Sequence, residues 1–335
     1  MKKKDRNLFR EKYSKKHHYL PVFYLKGFAD AAGKIHVYDK IKDEILPNQN
    51  PESKFYVNHL NNYKFDGEVK FTLEEYMMNG FDSKGSKLFE KIKASKFHIT
   101  DPLSSLEKFE LIGFLQKLYW RHPTSSDVYV ELIKKEGLSN KYFAIGLKDS
   151  ETQLSDDEIP EIKQHAIVDS EIQKVLKMVM PFQGSALEEA WYIYDKFKIF
   201  GIESDIFSLI TGDFPFLIKN YDRRMNNVFG DFIFPISKSR LLACTTKSPD
   251  FLDSLLITRI NNSILHLSTR FVACESETKL RKLVLIYKEF LKKGLEGTIL
   301  KDVFDFIHFQ SNFADYATYN ADMLSKHETY LNKNL

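Results

Sequence analysis

The segment HHYLPVFYLKGF, residues 17–28, places two adjacent imidazoles directly before a proline-led run of aromatic and aliphatic side chains. Pro21 suits the first turn of a helix, where its missing N–H is not needed. Tyr24 and Phe28 lie four residues apart and therefore share one helical face. Gly27 weakens the helix near its end. The segment predicts a short helix that begins near its proline, directly after the two imidazoles.

Two stretches outside this segment carry the signature of strands. Residues 33–39 alternate apolar and polar side chains, and residues 41–46 can pair back on them as a hairpin. A second stretch rich in β-forming residues lies within residues 206–245. We therefore expect an α+β protein with a mainly helical body and a modest antiparallel sheet from residues 34–46 and 206–245. These two stretches either join in one sheet or build separate sheets.

The helical body is predicted from apolar side chains at helical spacing. Residues 111–119 show this spacing strongly, and the residue before Pro123 is pushed away from the α conformation, which predicts a helix end there. Residues 71–95, 256–271 and 280–293 also predict helices.

Composition indicates an ordinary globular chain. The 335 residues are 43% hydrophobic and 28% charged, which suits a protein that buries a substantial core. This length fits one large domain or two smaller ones. We expect a single integrated α+β domain over residues 17–335, with an acidic surface connection near residues 149–161.

Charge is concentrated at the N-terminus. Residues 1–16 hold six Lys, two Arg, one Asp and one Glu, which gives +6 and leaves −3 for the rest of the chain. A basic N-terminal arm can track phosphates or an anionic surface. The alternative, which we favour, is a solvated terminus.

The two cysteines are not spaced for a structural zinc site. Cys244 and Cys274 lie thirty residues apart, and the chain contains no CxxC pair. Two isolated cysteines fit a reducing compartment. No apolar signal-peptide core follows the basic start, and no stretch has the length to span a bilayer. We therefore expect a cytoplasmic protein with no membrane partner.

The opening segment and the strand after it share a pattern with known proteins. The string His-His-Tyr-x-Pro-x-x-Tyr-Leu-x-x-Phe at residues 17–28 precedes Gly-Lys-Ile-x-Val-Tyr-Asp-Lys at residues 33–40. Together they resemble a widespread microbial family of unknown function, whose members open with a His-His-Tyr-Val-Pro string. The resemblance implies no settled activity.

Shorter matches to the same family recur downstream. Residues 121–123, Arg-His-Pro, take the place of the family's Arg-Thr-Pro at a helix end. Residues 211–215, Thr-Gly-Asp-Phe-Pro, take the place of its Thr-Ser-Asp-Asn-Pro turn, with Gly for Ser and Phe for Asn. Asn261, Ser268 and Arg270 match a spacing at which the family has Asn, Ala and Arg. If the Ser and Asn of that turn take part in chemistry in other members of the family, Gly212 and Phe214 predict lost or altered chemistry in this protein.

Four residues are the leading candidates for catalysis. His17 or His18 is a candidate general base or metal ligand, because imidazole titrates near neutral pH; the alternative is that backbone groups hold each ring. Asp213 lies in a turn at a strand end, where a carboxylate suits acid–base or metal chemistry, although Asp also commonly forms turns. Arg121 is a candidate phosphate clamp, and its alternative role is to stabilise a helix C-terminus. Asp82 is a weaker candidate carboxylate.

The predicted helix over residues 256–271 carries a polar stripe. Its members are Arg259, Asn262, His266 and Arg270. Such a stripe either lines an anion or nucleic-acid site or is the solvated side of an amphipathic helix. Asn261 lies nearer the apolar face, where a buried amide must be hydrogen-bonded. We take Asn261, Arg259, His266 and Arg270 as the candidate binding residues.

Two classes of function follow from these candidates. The first is a phosphodiester hydrolase, a nuclease-like effector of a defence or toxin system. His17 or His18 would act as base or ligand, Asp213 as the carboxylate and Arg121 as the phosphate clamp. A divalent metal is its candidate cofactor, with the ligands unknown. The second class is a non-catalytic binding or sensing protein that recognises nucleic acid or a protein partner, and the lack of phosphate-loop or nucleophile-elbow motifs favours it.

Overall fold

Helices and small antiparallel sheets make up the fold, as the sequence predicts. A computed structural model describes residues 15–73, 80–95, 102–139, 145–146, 152–182, 190–191, 193–194, 196–202, 207–219, 229–246, 252–296 and 299–310. Most of the basic arm, residues 1–16, and part of the acidic connection, residues 149–161, lie outside the described residues. Within that connection a helix begins at Pro160.

The described helices occupy both halves of the chain. They are α1 (Val22–Lys26), α2 (Phe81–Ala94), α3 (Ser105–Arg121), α4 (Ser125–Glu136), α5 (Pro160–Val168), α6 (Ser170–Val179), α7 (Ser254–Leu267), α8 (Glu277–Lys292) and α9 (Ile299–Gln310). The start of α3 is fixed by a capping box, in which Ser104 and Glu107 each accept the other's backbone N–H. It ends at Arg121, because His122 is extended ahead of Pro123.

The described strands pair antiparallel. They are β1 (Lys16–His18), β2 (Ile35–Asp39), β3 (Glu44–Gln49), β4 (Tyr56–Asn58), β5 (Asn62–Phe65), β6 (Glu68–Thr72), β7 (Ile145–Gly146), β8 (Gln153–Leu154), β9 (Phe197–Gly201), β10 (Thr211–Gly212), β11 (Leu217–Ile218), β12 (Phe232–Ser237), β13 (Arg240–Cys244) and β14 (Phe271–Cys274). The first sheet has the order β10-β14-β2-β3, and the second has the order β11-β12-β13-β9. Residues 34–46 and 206–245 thus share one sheet only through β10, and the later strands build another.

The helix predicted over residues 256–271 is shorter than expected. Helix α7 ends at Leu267, and Phe271 begins strand β14 of the first sheet. Lys40 Nζ donates to the carbonyl oxygens of Leu265 and Ser268, which satisfies acceptors at this helix end. The prediction was wrong because apolar spacing continues past the helix, whereas the backbone groups after Leu267 bind partners from distant segments.

One contiguous hydrophobic core packs elements from both halves of the chain. It is rich in aromatic side chains, and both sheets contribute strands in which every residue is buried. Cys244 and Cys274 are buried free thiols on different sheets. None of the described helices combines the length and the apolar character that a membrane crossing requires.

Candidate functional site

The first imidazole of the opening pair is held by the backbone. His17 lies in β1 opposite Val57 and is fully buried. Its Nδ1 accepts a hydrogen bond from the backbone N–H of Asn61 at 2.8 Å. This nitrogen is therefore occupied within the fold, which matches the structural alternative for this residue.

The second imidazole faces a different neighbour. His18 is half-buried, and its ring meets Tyr56 edge to face with centroids 5.6 Å apart. Successive side chains of a strand point to opposite faces, which separates the two rings. Among the described residues, no group of three or more His, Cys, Asp or Glu side chains could hold a metal ion.

Asp213 is fully engaged by the start of strand β14. Its carboxylate accepts from the backbone N–H groups of Thr269 at 2.9 Å, Arg270 at 2.6 Å and Phe271 at 3.1 Å. The Thr269 hydroxyl donates a fourth hydrogen bond at 3.0 Å. A carboxylate has about four acceptor positions, so these bonds leave little capacity for substrate or metal. Asp213 thus ties β10 to β14.

Tyr19 brings the opening segment against two downstream motifs. Its ring meets the His122 ring at 5.1 Å, and the His122 ring meets Phe214 at 5.3 Å. His122 Nδ1 accepts from the backbone N–H of Thr124 at 3.2 Å. Burial lowers the pKa of His122 to about 3, so this imidazole is neutral at physiological pH. We call Tyr19, His122, Asp213 and Phe214 the motif junction.

Tyr24 extends these motif contacts into both sheets. Its hydroxyl donates to the carbonyl oxygen of Pro235 at 3.0 Å and lies 2.8 Å from the hydroxyl of Thr211. Residue 27 must be small here, because a Cβ at Gly27 would lie 3.2 Å from the carbonyl oxygen of Ile236. The opening segment therefore organises the core where α1 meets the two sheets.

Gly212 and Ser268 occupy one shared space. A Cβ added at Gly212 would overlap the Ser268 hydroxyl. That hydroxyl is fixed, because it donates to the carbonyl oxygen of Ile264 at 2.7 Å. The Ser268 hydroxyl thus fills the space beside residue 212. The resembling family has the reverse arrangement, with serine at the position of Gly212 and alanine at the position of Ser268.

The polar stripe predicted on α7 does not form one solvated face. Asn261 is buried and satisfied: its side chain accepts from the Ile210 N–H at 3.1 Å and donates to the Ser208 carbonyl at 2.9 Å. Asn262 is also buried. These two amides lie inside the fold because α7 packs between neighbouring elements.

The other three members of the stripe contact three separate partners. Arg259 pairs with Asp302 of α9 at 2.8 Å. The ring of His266 lies 6.4 Å from that of Tyr287 on α8. Arg270 lies beyond the helix and is 3.5 Å from the carboxylate of Asp39. The four candidate binding residues are therefore dispersed, and the expectation of one stripe was wrong.

Arg121 is the predicted residue whose polar groups are least satisfied. Its side chain is 2% exposed, and Nη1 donates to the carboxylate of Asp82 at 3.2 and 3.3 Å. Within the described part of the chain, the buried Nε and Nη2 have no hydrogen-bond acceptor. Nε and Nη2 form one edge of the planar guanidinium, the edge that binds a carboxylate or phosphate bidentately.

A second buried cation lies beside Arg121. Lys117 is one helical turn earlier on α3, and its Nζ lies 3.1 Å from the centre of the Phe81 ring. Burial lowers the pKa of Lys117 to about 8; Asp82 opposes this shift and Arg121 adds to it. Two buried cations thus lie near one carboxylate that is 45% exposed.

Helix α6 contributes a third buried cation. Lys177 is 5% exposed, and its Nζ donates to the hydroxyls of Ser126 at 2.8 Å and Ser125 at 3.3 Å. Burial lowers the pKa of Lys177 to about 8. We call Lys117, Arg121 and Lys177 the cationic side of the molecule, as all three lie on α3 or α6 and none is part of the motif junction.

Comparison with known proteins places most of this structure in one family. The sequence profile of a family described as protein of unknown function, DUF4238, matches residues 16–278. The chain belongs to the DUF4238 family. This confirms the family of unknown function that the sequence resembles. Neither the curated proteins nor the solved structures contain a match to the chain.

The DUF4238 match includes both the motif junction and the cationic side. The sequence pointed to Asp213 and Arg121 but not to Lys117 and Lys177. A signal existed for Lys117, since it lies four residues before Arg121 on a strongly apolar helix. No local pattern distinguishes Lys177, because its serine partners are fifty residues earlier in the chain.

Proposed function

We propose that this DUF4238 protein is a binding or sensing protein that recognises a small ligand through a phosphate group held by Arg121. The unsatisfied Nε–Nη2 edge of Arg121 is the observation that carries the proposal. A buried donor without an acceptor costs about 1–3 kcal/mol, and more for a charged group. An oxyanion that accepts from both donors would remove this cost, because it would supply the acceptors that the free protein lacks.

The local charge favours a phosphate over a carboxylate. Lys117 and Arg121 bring two positive charges close to the single carboxylate of Asp82. A phosphate monoester carries up to two negative charges and three acceptor oxygens. It can therefore bind the free guanidinium edge and bring its second negative charge close to Lys117.

Burial limits how the phosphate is presented. At 2% exposure, Arg121 is out of reach of a phosphate inside a duplex backbone. Binding therefore requires a small terminal phosphate and movement of the side chains that cover the guanidinium edge. A mononucleotide fits this restriction. The phosphorylated end of a nucleic acid strand has the same chemistry and is treated below as an outcome of the test.

The hydrolase alternative has less support. It needs a free atom on His17 or His18 and on Asp213, whereas backbone N–H groups occupy the Nδ1 of His17 and both carboxylate oxygens of Asp213. The binding function needs only the unpaired donors of Arg121. We therefore favour the second of the two classes expected from the sequence.

Calorimetric titration tests this function. Inorganic phosphate, AMP and unphosphorylated adenosine would be titrated into the intact protein, and a phosphorylated oligonucleotide would be compared with its hydroxyl counterpart. We expect AMP to bind and adenosine not to bind. Arg121→Lys keeps the charge but removes the paired Nε and Nη2 donors. It should weaken AMP binding at least tenfold, about 1.4 kcal/mol.

Two further variants sharpen the result. Asp82→Asn removes the competing carboxylate and should strengthen phosphate binding several-fold, whereas a purely structural ion pair predicts only lost stability. Arg281→Lys makes the same exchange at an exposed helix pair with Glu277 and should leave binding unchanged. Equal binding of AMP and adenosine would overturn the proposal, as would no binding at millimolar AMP. Preference for the phosphorylated oligonucleotide over AMP would replace the mononucleotide by a strand end.

A further inference from the structure

The first turn of helix α4 and the buried amine of α6 form a compact constellation. Ser126 Oγ lies 2.8 Å from Lys177 Nζ, and Ser125 Oγ lies 3.3 Å from the same nitrogen. Ser126 is half-buried, whereas Lys177 is almost fully enclosed. A hydroxyl that reaches the surface thus contacts an amine that does not.

Ser125 positions the amine. Its hydroxyl donates inward, to the carbonyl oxygen of Trp120 at 2.8 Å or of His122 at 2.6 Å. The lone pairs of this oxygen are therefore available to Lys177, so the amine is held between two serines. A nucleophile within hydrogen-bond reach of a base, with the base oriented by a third group, is the arrangement that activates serine hydroxyls.

Burial lowers the proton affinity of the Lys177 amine, and the helix start favours negative charge at Ser126. Lys174 on the same helix and Asp127 on α4 act on Lys177 with opposite sign, and Lys177 in turn acts on the buried His122 at the end of α3. Desolvation is the larger influence and lowers the pKa of Lys177 to about 8. Ser126 lies in the first turn of a 12-residue helix, where the helix dipole stabilises negative charge.

We propose that Ser126 is a nucleophile and Lys177 its general base, in a site that transfers acyl groups from esters or activated amides to water. In the first step, Ser126 Oγ bonds to the acyl carbon and its proton moves to the neutral Nζ of Lys177. The bond to the leaving group breaks, and the leaving group takes that proton. Water then attacks the acyl-serine, gives a proton to Lys177 and releases the acid, and the proton returns to Ser126. This activity goes beyond the proposed phosphate binding and does not depend on Arg121.

Labelling with a fluorophosphonate probe tests the site in the full-length protein. We expect mass spectrometry to find the adduct on Ser126, at a rate that rises between pH 6.5 and 9 as Lys177 loses its proton. Hydrolysis of p-nitrophenyl acetate should follow the same pH profile. Ser126→Ala should abolish both signals, and Lys177→Met should slow them about 100-fold, the lower range for loss of a general base.

Two more variants separate catalysis from folding. Lys177→Arg keeps the charge and hydrogen-bonding capacity but cannot act as a base, so it should fold normally and lose labelling. Lys174→Arg makes the same exchange one turn earlier and should leave the rate within about twofold. The proposal fails if the folded protein forms no Ser126 adduct up to pH 9.5. It also fails if Ser126 in folded Lys177→Met or Lys177→Arg is labelled as fast as in the wild type.

Discussion

The motif junction and the cationic side both bury polar side chains, but they differ in how completely those side chains are hydrogen-bonded. In the motif junction, Asp213 accepts four hydrogen bonds. On the cationic side, Arg121 keeps two buried donors without acceptors in the described structure, and Lys177 is held by hydroxyls rather than by a carboxylate.

The proposed functions rest on the cationic side. Family motifs converge on the motif junction, where they join α1, the end of α3 and the two sheets, and where the buried Nε2 of His122 has no hydrogen-bond partner among the described atoms. The cationic side carries no recognisable motif beyond Arg121. Because evolution rarely leaves buried polar groups unpaired without a use, the second region is the better place to look for ligands and chemistry.

Removal of the Asp213 carboxylate should have the largest effect. Asp213→Ala leaves the backbone N–H groups of residues 269–271 buried without an acceptor, so we expect a loss of about 3–5 kcal/mol in the free energy of unfolding. Urea unfolding at neutral pH measures this. Asp157→Ala, at an exposed turn position, should change stability by less than about 0.5 kcal/mol. A similarly small loss for Asp213→Ala would mean that Asp213 is free for another role.

Removal of a buried charge on the cationic side should instead raise the free energy of unfolding. Lys177→Met replaces a buried ammonium by an apolar chain of similar size, so we expect the variant to be more stable than wild type at pH 7 by about 2–3 kcal/mol. The pKa of Lys177 falls from 10.5 to about 8 on folding, so the unfolded chain binds more protons between these values. Wild-type stability therefore rises across that range relative to the variant.

Urea unfolding of both proteins between pH 7 and 10.5 measures this trend. The stability difference should be largest below pH 8 and shrink towards pH 10.5. Other groups titrate in both proteins, so their contributions cancel in the difference. A difference that does not change with pH would show that Lys177 is not desolvated as the structure indicates.

Local patterns in the sequence were sufficient for much of the fold. Apolar spacing located α3 and α8, proline placed the end of α3, and alternation located the β2–β3 hairpin. The end of α7 and strand β14 were missed, because Asp213 and Lys40 set that boundary from distant positions. Local periodicity carries no information about such partners.

The candidate site was harder to predict for the same reason. Residue type suggested His17 and Asp213, but whether an imidazole or carboxylate is free depends on backbone groups brought in by folding. The pairing of Lys177 with Ser126 joins two helices with no shared motif. Hydrogen-bond satisfaction is a tertiary property, and it is what distinguishes the two regions.

The smallest of the expected effects is a coupling of about 1–2 kcal/mol between two positions beside the motif junction. Gly212→Ser should cost about 2–3 kcal/mol, because its side chain would overlap the Ser268 hydroxyl. Ser268→Ala alone removes a hydrogen bond to Ile264 and should cost about 1 kcal/mol.

The double variant restores the serine–alanine pair that the resembling family carries at these positions. It should be more stable than the sum of the single changes predicts, by about 1–2 kcal/mol, because the new hydroxyl enters space that the old one leaves. Recovery remains partial, since a Cβ at Gly212 also lies 3.1 Å from a methyl carbon of Ile264. A double-mutant cycle by urea unfolding measures the coupling. Strictly additive effects would show that Gly212 and Ser268 do not share this space, and that the family's serine is absent for another reason.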